Sequence, residues 1–216
     1  MNKFSEDKYI SKQIVKRLPR YYRFLGELKD KGVERISSTD LSTIMNVTAS
    51  QIRQDLNKFG GFGQQGYGYN VNSLHKEIGR ILGIDTPHNM VMIGAGNLCK
   101  AIMHYRSFPR YGFHIIGAFD ICPEKIGTVI NGITVMSMDE LEPFIRTHKA
   151  DIAVVTVPTS AATEVLERLS KTDIKGVWNF AHVDYTMPNN IQIENVHLSE
   201  SLMILSYNIA DVSKGN

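Results

Sequence analysis

Cysteine is nearly absent: Cys99 and Cys122 are the only two in 216 residues. Two are too few for a disulfide framework or for a structural zinc site. No apolar run approaches the roughly 20 residues that a membrane-spanning helix needs. The opening stretch, MNKFSEDKYISKQ, has no apolar signal core. Seven histidines occur without metal-ligand spacing such as HExxH. Internal repeats and low-complexity tracts are missing too. These absences exclude a secreted disulfide scaffold, a helical membrane protein and a repeat array. They predict a cytoplasmic chain with no metal site. Its 43% hydrophobic and 21% charged residues are ordinary for a globular protein, and its length suits two modest domains.

The formal net charge of +2 hides an asymmetry. Residues 1–80 hold 14 Lys/Arg against 8 Asp/Glu, whereas residues 81–216 hold 10 against 14. A basic head on an acidic body points to a polyanion partner for the head alone.

The head reads as helices. Ile14, Leu18, Tyr21, Leu25 and Leu28 recur at three- and four-residue steps, one apolar helical face. Pro19 interrupts it, so a helix is expected to begin or bend there. Gly32 closes the segment. Ser37 to Asp40 offers a capping box for a short helix through Met45, and Thr48 to Gln51 offers a second. The helix it opens, Ala49 to about Lys58, buries Ile52, Leu56 and Phe59. Two short helices across the Asn46-Val47 turn form a helix-turn-helix candidate. Its second helix exposes Thr48, Ser50, Gln51, Arg53, Gln54 and Asn57. Arginine suits guanine, and glutamine or asparagine suits adenine, in a DNA major groove. Lys16, Arg17, Arg20 and Lys58 suit phosphates. Glycine-dense GGFGQQGYGY (60–69) then predicts a two-stranded wing. Leu74, Ile78, Ile81 and Leu82 give one more helix, and the domain boundary is expected within 84–89. The expected domains are 1–83, 84–198 and a helical segment, 199–216.

The second half alternates short apolar runs (90–93, 114–119, 133–135, 152–157, 176–180, 191–198) with helical patterns (98–105, 138–148, 160–169). That rhythm predicts a parallel, doubly wound sheet covered on both faces, hence an α/β Rossmann fold. A last helix, 199–212, carries Leu202, Leu205, Ile209 and Val212 on one face and stands outside the rhythm, free to pack on a partner.

Gly94-Ala95-Gly96-Asn97-Leu98-Cys99 follows an apolar strand and opens a helix. The first glycine permits a tight turn; the second lets backbone approach a pyrophosphate. Asp120 ends the next strand, where a carboxylate would bond a ribose 2′-OH and repel a 2′-phosphate, favouring NAD(H). Cys99 stands where a third glycine normally allows close helix–strand packing, so it must displace something. Ile121, Val157, Pro158, Thr159, Asn179 and Phe180 end strands at the edge where open α/β sheets bind ligands. Cys99 in a helical first turn, paired with Cys122, also raises direct thiol sensing, since such a thiol tends to lose its proton more easily. Two cysteines serving as small side chains is the plainer alternative.

Long stretches then carry a resemblance: KRLPRYYRFL (16–25), VTASQIRQDLNKFGGFGQQGYGYNV (47–71), IGAGNLCKAIMHY (93–105), AFDICPEKIG (118–127), VTVPTSAATEV (155–165) and KGVWNFA (175–181). Over nearly its whole length the chain resembles the redox-sensing transcriptional repressor family Rex. The resemblance implies a homodimer with exchanged C-terminal helices that binds double-stranded operator DNA when NADH is scarce. NADH binding would reorient the paired winged helices and release the operator. Tyr105 is implied to lie near the nicotinamide.

Departures stand out. Family members usually have glycine at Cys99, a basic pair at Gln64 and Gln65 in the wing, proline at His182 and aspartate at His197. The position of His197 is implied to contact the partner subunit. Without that wing pair, the salt dependence of DNA binding should be shallower than in relatives. His182 and His197 are candidates for a pH-sensitive contact. Two other functions stay open. One is a constitutive DNA-binding dimer with a degenerate nucleotide pocket. The other is an NAD-dependent oxidoreductase, disfavoured because no catalytic acid–base pair is evident, and no catalytic residue is assigned.

Overall fold

The computed structural model describes residues 11–58, 63–64 and 67–212. The chain divides between Thr86 and Pro87 into two compact units.

The first unit begins with α1 (Lys12–Asp30), then β1 (Arg35–Ile36), α2 (Ser38–Met45) and α3 (Ala49–Asn57). β2 (Gly63–Gln64), β3 (Gly68–Asn70) and α4 (Val71–Ile81) complete it. α1 does not begin at Pro19, one of the two alternatives expected, but runs through it. The missing amide and the ring clash cost about 3 kcal/mol in an isolated helix. Burial of Ile14, Leu18, Tyr21 and Leu25 along one face outweighs that and carries the helix through. At its end, Gly32 takes φ +73°. There the Gly32 and Val33 amides donate back to Lys29 and Leu28 carbonyls at 2.9 Å.

Both capping residues act as expected, with Ser37 accepting from the Asp40 amide and Thr48 from the Gln51 amide. Asn46, at φ 51°, makes the turn between α2 and α3. α1 and α4 approach closely because Gly26 and Gly79 face His75 and Tyr22, whose rings stack at 4.0 Å. The wing strands pair antiparallel in the order β1-β3-β2. β1 escaped the sequence reading because two residues carry no periodicity. Of the expected wing contacts, Gln65 lies outside the described residues, and Gln64 is described by its backbone alone.

The second unit runs β4 (His88–Ile93), α5 (Asn97–Met103), β5 (Phe113–Asp120), β6 (Val129–Ile130), β7 (Ile133–Ser137) and α6 (Leu141–His148). It continues with β8 (Ile152–Val155), α7 (Thr159–Leu169), β9 (Gly176–Asn179), β10 (Gln192–Asn195) and α8 (Leu198–Val212). The sheet order is β10-β9-β8-β4-β5-β7-β6, with only the short β6 antiparallel. Counted along the parallel strands this is the doubly wound 3-2-1-4-5-6 arrangement, whose order reverses between β4 and β8. One face packs Leu141, Ile145, Leu166 and Leu169 of α6 and α7 against the sheet. The other packs Cys99, Ile102 and Met103 of α5.

α8 is exposed along its described length, with Met203, Ile204 and Tyr207 as exposed as Leu202, Leu205 and Ile209.

Candidate nucleotide and DNA sites

Strands β4, β5 and β8 end around a cavity of about 630 Å³. Gly94, Gly96, Asp120, Ile121, Val157 and Pro158 line it, joined by Cys122, Lys125, Thr156, Glu164 and Arg168. Gly94 has φ +91°, and a Cβ there would lie 2.9 Å from Val157 Cγ1 and 3.0 Å from the Thr156 carbonyl. Thr156 Oγ1 ties this turn by donating toward the Ile93 and Gly94 carbonyl oxygens. Gly96 is different: nothing lies within 4 Å of where its Cβ would stand. Its glycine is not demanded by protein packing, so the space beside it fits an incoming pyrophosphate. The first turn of α5 has no side-chain cap, leaving amides to meet that anion.

Asp120 occupies the expected place and is almost fully buried. Its Oδ2 accepts from the Ala95 amide at 2.6 Å and from Lys125 Nζ at 2.9 Å; Oδ1 accepts from the Cys122 amide at 2.9 Å. Burial opposes its charge, yet these donors together pull its pKa below the usual carboxylate range. Asp120 is thus a brace for the glycine loop, and any ribose hydroxyl must share it with Lys125. Lys125 went unremarked in the sequence, although its place in the turn after Asp120 was the available signal.

Cys99 is fully buried without obstructing the cavity, with Sγ 3.6 Å from Met103 Sδ. Its cluster includes the flexible, unbranched side chains of Met90, Met92 and Met103. Burial raises its thiol pKa to about 11, reinforced by Asp120. Desolvation therefore overrides the helix terminus, which favours the plainer alternative of a small buried side chain over direct thiol sensing. Cys122 Sγ donates to Glu124 Oε2 at 2.7 Å, which also raises its pKa.

The remaining expected residues scatter. Asn97 and Thr159 are exposed, Leu98 is half-buried and Ala95 is buried behind the loop. Tyr105 is exposed, its ring 4.8 Å from that of Phe108. Phe180 packs on Trp178 at 4.6 Å. Asn179 is wholly buried; its amide donates to the Ala181 carbonyl and Asn195 Oδ1, and its Oδ1 accepts from the Ala181 amide. That clasp satisfies its side chain internally.

In the first unit, Asp55 anchors the reading helix. Its buried carboxylate accepts from Arg17 at 2.8 and 2.6 Å, from Tyr21 Oη at 3.0 Å and from Gln51 Nε2 at 2.8 Å. Arg17 and Gln51, expected on DNA, are thereby tied inward. Arg20 donates to the Met45 carbonyl and Arg53 to Ser38 Oγ at 3.0 Å. Thr48, Ser50, Gln54, Asn57, Lys58 and Lys16 remain exposed. Asp55 itself was missed, though its place between Ile52 and Leu56 on the buried face was legible.

Two family models match: a putative DNA-binding protein N-terminus over residues 9–57, and a CoA binding domain over residues 85–183. A redox-sensing transcriptional repressor Rex of Clostridioides difficile (strain 630) is 54% identical over 93% of this chain and 96% of its own. The chain belongs to the Rex family. Another Rex, from Thermoanaerobacter sp. (strain X514), is 48% identical over 95% of this chain and 92% of its own. The crystal structure of RSP in complex with beta-NAD+ and operator DNA is similar with a TM-score of 0.89 and 47% identity. That match covers 95% of this chain and 94% of RSP. RSP in complex with beta-NADH matches at 0.87 and 45% identity, over 94% and 96%. The fold expected of the Rex family, a winged helix followed by a Rossmann domain, is therefore the fold found.

Proposed function

We propose that this chain is a dimeric, cytoplasmic transcription repressor that binds operator DNA through its first unit and senses NADH against NAD+ through its second. One observation carries the reading. A winged helix and a dinucleotide cleft occur in one chain, and the same two-unit chain is found in RSP on operator DNA with beta-NAD+. Gly94, Gly96 and the first turn of α5 would hold the pyrophosphate, Asp120 with Lys125 the ribose, and Val157 and Pro158 the far wall. Tyr105, by resemblance, would lie near the nicotinamide, although it does not line this cavity. The dinucleotide is a signal and is not consumed. For release, NADH must bind the DNA-incompetent dimer more tightly than the competent one.

Ser50, Gln54 and Asn57 are the free polar residues of α3 suited to base edges; Lys16 and Lys58 suit phosphates. Arg17 and Gln51 act indirectly, by holding α3 on α1 through Asp55.

Dimerisation rests on α8. A helix exposing apolar side chains around its circumference is stable only when other surfaces enclose it. The same unit opens an apolar groove of about 450 Å³, lined by Met90, Phe108, Phe113, Ile152, Trp178 and Ile193. Exchange of α8 between subunits would cover both. No helix among the described residues is long and apolar enough to cross a membrane.

The test is fluorescence anisotropy with a two-fold-symmetric operator. NADH should weaken binding at least tenfold where equal NAD+ does not. Equal operator affinity with both nucleotides, despite measurable NADH binding, would leave a constitutive DNA-binding dimer.

A further inference from the structure

β9 and β10 run parallel in register, Asn179 opposite Asn195, and leave the sheet side by side. The Asn179 clasp fixes the exit: its side chain holds Ala181 and Asn195, and its carbonyl accepts from the Val196 amide at 2.8 Å. The next residue on each exit is a histidine. His182 Nδ1 and His197 Nδ1 lie 3.0 Å apart, with nearly coplanar rings at an interplanar angle of 14°. The ring centroids are 5.2 Å apart, little less than that nitrogen separation plus the two centroid-to-nitrogen radii. The nitrogens therefore point at each other along one line. Metal ligands would instead converge on a third point, so the geometry is that of a shared proton.

We propose that His182 and His197 form a proton-sharing clasp that sets the root of α8 and opens on acidification. A nitrogen–nitrogen hydrogen bond needs one donor and one lone pair. Neutral and singly protonated pairs satisfy this. A doubly protonated pair has two donors and no acceptor, and sets like charges face to face. His197 directly precedes α8, and the Glu200 amide donates to its carbonyl at 3.1 Å. Opening the clasp thus frees the first turn of the helix on which dimerisation rests. On the segments meeting here, the titratable groups are Asp184 and Tyr185 after His182, Glu194 on β10 and Glu200 on α8. Among the described residues, no ion pair joins these acids to either ring.

Histidine-labelled NMR across pH 5–8 tests the clasp directly, using the full-length protein. The two rings should protonate over distinct pH ranges, and His182→Ala or His197→Ala should move the range of the ring that remains. Rings that titrate alike in the parent, unchanged by either substitution, would end the proposal. A second measurement rests on the repressor reading. Between pH 8 and 5.5, operator affinity should fall about tenfold more in the parent than in the double alanine variant, the equivalent of about one pH unit of proton linkage. Coupled NMR titrations with identical operator profiles would retain the shared proton and reject control of α8. Absent operator binding at every pH would count against the repressor reading alone, with the NMR result still deciding the clasp.

Discussion

Asp55 is an acid in an apolar core, and the donors around it make that tolerable. Replacing it with alanine would leave Tyr21 Oη buried without its acceptor and Arg17 without its partner. Loss of a buried pair costs about 3–5 kcal/mol, and Arg17 is one-third exposed, so we expect about 2–4 kcal/mol. Urea denaturation would measure it, and Asp55→Asn should lose less because it keeps an acceptor oxygen. Burial works against the Asp55 charge, but Arg17, Gln51 and Tyr21 outweigh it and lower its pKa. Its contribution is therefore complete above the unfolded value of about 4 and is lost as pH falls through the lower folded value. The acid limb of the stability curve should be flatter in Asp55→Ala than in the parent. Cys99 offers a second check at this scale. With its thiol buried and its pKa near 11, alkylation at neutral pH should be at least tenfold slower than at Cys122. Mass spectrometry of the iodoacetamide-treated native protein reads both rates.

At the scale of elements, the β4–α5 turn separates two glycines that look alike in sequence. Gly94 has positive φ and backbone close to its missing Cβ, so Gly94→Ala should destabilise the second unit by about 1–3 kcal/mol and abolish NADH binding. Gly96 has ordinary φ and open space. Gly96→Ala should cost under about 1 kcal/mol yet weaken NADH at least tenfold, because the methyl group would occupy the pyrophosphate approach. Thermal unfolding with isothermal titration calorimetry distinguishes the two. Equal NADH affinity in Gly96→Ala and the parent would mean that the pyrophosphate does not approach there. The motif itself was plain: strand, glycine turn, helix and distant acid follow in order. The setting of Cys99 was not, because one chain position says nothing about the side chains that pack around it.

At the scale of the whole molecule, α8 carries the assembly. Leu202→Asp with Leu205→Asp should convert a dimer into a monomer by analytical ultracentrifugation and remove affinity for a two-site operator, leaving NADH binding measurable. A dimer unchanged by both charges would place the subunit contact elsewhere. The few free cations near α3 also predict a shallow salt slope. Log affinity against log salt should fall by about one phosphate contact for each of Lys16 and Lys58 replaced by alanine.

What the sequence determined alone was what local periodicity and caps govern: the helix-turn-helix, the βαβ rhythm and the glycine turn. Those signals are carried by residues within a turn or a strand of each other. Tertiary structure alone decided what each polar side chain faces. Arg17 turns to Asp55, Asp120 to the loop it supports, and Asn179 to the strand exits that bring His182 beside His197. Partners 15 to 38 positions apart in the chain meet only after burial has chosen the register of helices and strands. The physical reason is that apolar patterning specifies which face is inside, whereas a hydrogen bond depends on ångström-scale placement that packing alone supplies.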